Sequence, residues 1–259
     1  MKNSRRNFLK IAGISALGIG ASPALNLFAS SDEPGKVETF KNKNALTAGH
    51  WGMVIDTRKI QSAKDVEPIV EACHKIHNVP KIENSRHEIK WIWEEEYKHA
   101  FPSKENNYLD ERTKHLPFLV LCNHCENPPC VQACPTKATF KRDDGIVLMD
   151  FHRCIGCRFC MAACPYGSRN FNFRDPREFI KEVDPGFPTR MKGVVEKCNF
   201  CAERLAKGLM PACVEASNGI LTFGDLEDPE SDVRKLLKSN YTIRRKQNLG
   251  TGPAVYYIV

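Results

Sequence analysis

Eleven of the twelve cysteines fall into three tight groups, and their spacing constrains this chain more than any other property. The first group reads Cys122-x2-Cys125-x4-Cys130-x3-Cys134-Pro135. The second reads Cys154-x2-Cys157-x2-Cys160-x3-Cys164-Pro165, and the third Cys198-x2-Cys201-x11-Cys213. Cys73 stands alone. A C-x2-C-x2-C loop turns three thiolates towards one face of a [4Fe–4S] cube. The cysteine three residues further on faces the other way and, in two-cluster proteins, ligates the neighbouring cluster. Under that rule Cys122, Cys125, Cys130 and Cys164 would hold one cluster. Cys154, Cys157, Cys160 and Cys134 would hold a second. Pro135 and Pro165 turn the chain just after each exchanged ligand. A cubane takes four thiolates, so twelve cysteines suit three clusters.

Disulfides and zinc are the competing uses. Exported chains form disulfides and twelve is even, but disulfides do not require two C-x2-C runs each ending in Cys-Pro. C-x2-C pairs also hold zinc, though eight ligands in this spacing rarely serve it. His124, inside the first loop, reads as a neighbour of the site and not as a ligand. No Walker A loop, dinucleotide fingerprint or nucleophile elbow is present, so no substrate site of the chain's own is expected.

The N-terminus reads as an export signal over residues 1–30. Ser4-Arg5-Arg6-Asn7-Phe8-Leu9-Lys10 is a twin-arginine pattern, and the uncharged stretch Ile11 to Ala29 follows it. A general secretory signal with two chance arginines is the alternative. Cleavage after Ala24 or Ala29, or retention as an anchor, both suit the length of the apolar stretch. The twin-arginine route carries folded proteins, so clusters could be inserted before export. The formal charge of +7 includes four basic residues of this segment. Without them 34 basic residues face 31 acidic ones, and three oxidised clusters of about −2 each would bring the total to about −3. The basic composition therefore gives no argument for nucleic acid.

Residues 31–259 read as one polyferredoxin domain in the α+β class, with short strands and helices around cysteine loops. Its hydrophobic content of 42% permits a packed core. Trp51 to Asp56 is a strand. Ser62 or Asp65 can cap a helix whose apolar face is Val66, Ile69, Val70 and Cys73. Pro68 favours Asp65, because proline suits a first turn. Residues 81–115 form a highly charged insertion, read as an irregular surface excursion and a docking face or a solvated loop. Asp143-Asp144-Gly145 joins two short strands as a hairpin. Phe171 to Phe173 is a further strand, Ala202 to Leu209 a helix, and Ile220 to Phe223 a strand.

Four segments carry a family resemblance. They are Leu121 to Cys130, Cys154 to Gly167, Lys197-Cys-Asn-Phe-Cys-Ala-Glu-Arg-Leu205, and Phe223-Gly-Asp-Leu-Glu-Asp-Pro229. Together they resemble the ferredoxin subunits, with four clusters, of membrane oxidoreductases. Those subunits serve molybdopterin reductases and NrfD-type quinone-binding membrane proteins. With the twin-arginine pattern the chain is most similar to the DsrO-type, Hdr-like menaquinol oxidoreductase group, over roughly residues 50–259.

The resemblance implies tandem bacterial-type ferredoxin modules. The inner one would span about 116–175, and the outer one about 50–80 plus 194–225. It implies electron relay on the outer face of the cytoplasmic membrane, between an NrfD-type subunit and a multihaem cytochrome c. Service to an exported molybdopterin reductase for polysulfide, tetrathionate or nitrite is the alternative. The family carries four cysteine motifs, the first paired with the fourth. Here Ile60 to Pro68 lacks three expected cysteines, and Ser217 stands where a fourth-motif cysteine belongs. The losses match one cluster. The resemblance thus implies that Cys198, Cys201, Cys213 and Cys73 hold a third cluster and that the fourth is gone.

Overall fold

The six residues of β1 (Trp51–Asp56) are all buried, as a strand covered on both faces requires. In the computed structural model, which describes residues 42–259, this strand lies inside a sheet of four. The remaining strands are β2 (Ile92–Glu95), β3 (Phe118–Leu121), β4 (Thr139–Lys141), β5 (Val147–Met149), β6 (Asn170–Phe171), β7 (Val195–Glu196), β8 (Leu221–Asp225), β9 (Thr242–Ile243) and β10 (Val255–Ile258). The main sheet runs β8-β1-β10-β9. β8 is antiparallel to β1, pairing Trp51 with Asp225 and Ile55 with Leu221. β10 runs parallel to β1, pairing Met53 with Val255. Pairs β2-β3, β4-β5 and β6-β7 make three two-stranded ribbons.

Side chains alternate across a strand, so β1 serves two cores. Val54 joins Val233 and Ile258 under helix Asp232–Ser239. Met53 and Ile55 face the larger core, which also holds Ile69, Cys73, Cys198 and Cys213. Helix Ala63–Ile76 buries Val66, Ile69 and Cys73 and packs against helix Ala212–Glu215. That contact brings Cys73 to Cys213 across most of the chain.

The strand at 51–56, the hairpin at 139–149 and the strand at 221 follow the sequence reading. Other details differ. The first long helix is capped by Ser62, not Asp65. Asp65 Oδ2 instead accepts from the backbone N–H groups of Gln61 and Ser62 at 2.9 Å, and Pro68 sits inside the helix. A carboxylate at the third helical position satisfies the cap from within. The helix at 202 ends at Leu205, and the strand at 170 stops at Phe171.

The charged segment 81–115 is not an irregular excursion. It contributes β2, and it buries Ile89, Trp91, Ile92, Tyr97 and Phe101 in the main core. Its charged side chains are exposed or half-buried. Trp91, Ile92 and Tyr97 are buried among charged neighbours whose number obscured them. The expected export signal at 1–30 lies outside the described residues. Among the described residues no helix is long and apolar enough to cross a membrane.

Candidate iron–sulfur centres

The three C-x2-C loops share one backbone device. The residue just before the second cysteine has positive φ in each: His124 at 40°, Gly156 at 69° and Phe200 at 54°. This conformation disfavours residues other than glycine, so its recurrence marks a constrained turn, not a relaxed loop. At Gly156 a Cβ would also sit 2.3 Å from the Gly193 carbonyl oxygen, which excludes a larger residue. The exchanged positions correspond as well. Lys137 and Gly167, each the third residue after a Cys-Pro cysteine, both have positive φ, at 54° and 67°. Helices Pro129–Gln132 and Phe159–Ala163 pack on each other between these loops.

The fold gathers all twelve cysteines into three fours, and none is in a disulfide. Cys122, Cys125, Cys130 and Cys164 line one cavity. Cys134, Cys154, Cys157 and Cys160 line a second. Each four contains one cysteine contributed by the other loop. Cys73, Cys198, Cys201 and Cys213 form the third group, and all four are buried. Burial, followed by repulsion from Cys213, Cys198 and Cys201, pushes the Cys73 thiol well up. Cys198 also feels Cys122, which places this group beside the first cavity. The order through the protein is therefore an open group (134/154/157/160), a middle group (122/125/130/164) and a sealed group (73/198/201/213).

These donor sets fit an iron–sulfur cube. Burial and the neighbouring Cys122 push Cys125 up to about 12, and burial pushes Cys213 up to about 12. Four such thiols ionise together only around a cationic core. Groups that donate to sulfur are already in place. Arg169 Nη2 donates to Cys130 Sγ at 3.0 Å, and the Phe200 N–H points at Cys198 Sγ at 3.5 Å. The Asn123 side chain lines the middle cavity, buried, with neither amide atom hydrogen-bonded. His124 Nδ1 accepts from the Val147 N–H at 3.1 Å and its ring stacks on Phe200, while its buried Nε2 has no hydrogen-bond partner.

His77 and Glu203, beside the sealed group, gave no sequence signal. His77 Nδ1 lies 2.8 Å from the Cys73 carbonyl oxygen and Nε2 lies 2.8 Å from Glu203. Both nitrogens are thus already engaged, although His77, Cys201 and Glu203 stand close enough to share an ion. Nothing but the fold relates His77 to Glu203. Ser217 Oγ donates to the Val214 carbonyl at 2.7 Å and accepts from the Leu221 N–H at 3.1 Å. It closes a helix end on the backbone.

Residues 114–177 match the 4Fe-4S dicluster domain family, a span that contains the whole of the open and middle groups. Over 98% of its length the chain is 41% identical to the Hdr-like menaquinol oxidoreductase iron–sulfur subunit 1 of Archaeoglobus fulgidus, covering 97% of that protein. The chain belongs to this family of respiratory iron–sulfur subunits. It is also 36% identical to the iron–sulfur cluster-binding subunit of menaquinone reductase from Nitratidesulfovibrio vulgaris, over 80% of this chain and 88% of that one. To the B subunit of polysulfide reductase from Wolinella succinogenes it is 43% identical, over 53% of this chain and 64% of that protein. The relatives are iron–sulfur electron-transfer subunits, and this chain is an iron–sulfur electron-transfer subunit like them.

Proposed function

We propose that this chain holds three [4Fe–4S] clusters and relays single electrons between two other subunits of a menaquinol-linked respiratory complex. The open, middle and sealed groups would each ligate one cluster. The carrying observation is the division of twelve thiols into three fours that lie in sequence through the protein. When bound, the clusters supply one-electron reduction and oxidation. The chain's own residues hold them apart from water, donate hydrogen bonds to their sulfurs and set the surrounding charge.

The vacated fourth site supports the count of three. Ile60 is fully buried where the first family motif would place cysteines, and Ser217 is bonded to backbone. The reading includes two tandem ferredoxin modules, the twin-arginine signal at residues 1–30, and a place on the outer face of the cytoplasmic membrane. There the partners would be an NrfD-type quinone-reactive membrane subunit and a multihaem cytochrome c. Similarity to a polysulfide reductase subunit favours one alternative, a molybdopterin partner in place of the cytochrome.

Purification from membranes under anaerobic conditions, with haem, iron, molybdenum and subunit analysis together, tests this. About twelve iron and twelve sulfide per chain are expected. Iron near eight would remove the sealed cluster from the reading. A copurifying large molybdopterin subunit would replace the cytochrome partner.

A further inference from the structure

Three buried cations, Arg169, Lys197 and Arg245, have no carboxylate partner among the described residues, and the first two act on the cysteine thiols. Arg169 is 4% exposed. Its hydrogen-bond partners are Thr139 Oγ1 at 3.0 Å, Met149 Sδ at 3.2 Å and Cys130 Sγ at 3.0 Å. Lys197 is 2% exposed, and its Nζ donates to the carbonyls of Val147 and Cys198. By contrast, the buried guanidinium of Arg190 is matched by Glu196 at 2.6 Å. An isolated ammonium or guanidinium is too costly to bury without negative charge nearby. The negative charge available to Arg169 and Lys197 is that of the cysteine groups.

Arg169 and Lys197 each face two groups. Burial opposes the charge on Arg169, but Cys130, Cys160 and Cys122 outweigh it and hold the guanidinium charged. Cys130 and Cys122 belong to the middle group and Cys160 to the open one. Lys197 acts on Cys198 of the sealed group and on Cys130 of the middle group. The middle group therefore lies between both cations. The sealed group has Lys197 on one side but Glu203, which acts on Cys73 and Cys201, on the other. Hydrogen bonds from His77 and Asn199 hold that carboxyl below its ordinary value against its burial.

Resting on the three-cluster reading above, we infer that Arg169 and Lys197 set the reduction potentials of the clusters in overlapping pairs. Arg169 raises the open and middle clusters, and Lys197 raises the middle and sealed ones. Reduction adds one negative charge to a cluster, so a fixed cation beside it favours the reduced form. The middle cluster, facing both cations, has the highest potential and takes the first electron. The relay is thus a well with a step up on each side, not a slope. These are potential-setting residues, and no substrate contact is implied.

The test is an EPR-monitored redox titration of the full chain with its clusters, compared across Arg169→Gln, Arg169→Lys, Lys197→Met and Lys197→Arg. Iron is counted first, because about twelve per chain establishes the underlying reading separately from the inference. In the parent protein the middle cluster should reduce first. R169Q should shift two clusters to lower potential and leave one in place. K197M should also lower two, sharing only one with R169Q. R169K and K197R should restore most of each shift. In a Cys73→Ala background, which lacks the sealed cluster, K197M should move a single signal while R169Q still moves two. If R169Q loses iron, R169K takes its place, and its longer reach to Cys130 should give a smaller shift of the same two clusters. Unchanged potentials in iron-replete variants would overturn the inference. So would an equal shift of all three clusters, or a middle cluster that reduces last.

Discussion

The open and sealed cysteine groups use the same chemistry in opposite surroundings. The open group is drawn from residues 134–160. Cys157 in it is exposed, and its neighbours Ile155 and Phe159 are 68% and 61% exposed. The sealed group spans residues 73–213, and all four of its cysteines are buried. One is a local loop on the surface. The other exists only because helix Ala63–Ile76 packs against helix Ala212–Glu215. The open site is made by spacing and the sealed site by the fold, so perturbing the fold should strike them unequally.

Cys73→Ala should produce the largest difference. It removes one ligand from the sealed group and nothing from the others. About four of about twelve iron atoms should be lost, with the EPR signals of the other two clusters retained. Stability should fall too, because metal binding here is coupled to packing of the main core. Twelve iron in the variant would show that Cys73 is only a buried core thiol.

That difference also explains what could be read from the residues alone. The open and middle groups follow from spacing, since a C-x2-C loop dictates its own turn. The positive φ at His124, Gly156 and Phe200 is the same turn three times. Cys73 carried no such signal, and only the family pattern linked it to Cys198, Cys201 and Cys213. The strand Trp51–Asp56 was legible as an apolar run, but its parallel partner Val255–Ile258 was not, because pairing across most of the chain leaves no local mark. Segment 81–115 was misread for a related reason. Charge dominates its composition, while Trp91 and Phe101 do the packing. The cations Arg169 and Lys197 were invisible as well, since a basic residue shows its burial only in three dimensions.

Exposure to an iron chelator under oxidising conditions should separate the groups next. The open cluster should bleach first, as a distinct phase of about four iron per chain, because its ligands reach solvent. The Cys73→Ala variant should keep that first phase and lose a later one. Simultaneous loss of all iron in the parent protein would mean that the chain opens as a whole before any cluster is attacked.

Arg190→Ala should weaken the sealed side without touching a cysteine. Its guanidinium lies 2.6 Å from Glu196, both side chains are fully buried, and it also donates to the carbonyls of His77 and Asn78. Those carbonyls follow the helix that carries Cys73. Removing one member of a buried pair leaves the other charge unmatched, at a cost of about 3–5 kcal/mol. The unfolding midpoint at fixed scan rate should drop, and the sealed cluster should become labile before the middle one. An unchanged midpoint would break the link drawn between this ion pair and the Cys73 helix.

Arg153→Ala is the matching change on the open side and should have the smallest effect. Arg153 Nε lies 3.3 Å from Asp150 Oδ2, and the arginine side chain is 68% exposed. Water screens such a pair, so its loss should cost no more than about 1 kcal/mol, even though Cys154 is the next residue. Iron content and midpoint should both stay close to those of the parent. The contrast with Arg190 is between a buried arginine that also holds the backbone carbonyls of His77 and Asn78 and an exposed one that pairs with Asp150 alone. If Arg153→Ala cost as much as Arg190→Ala, the open site would depend on its surface charges for its shape. Spacing alone would then not account for it.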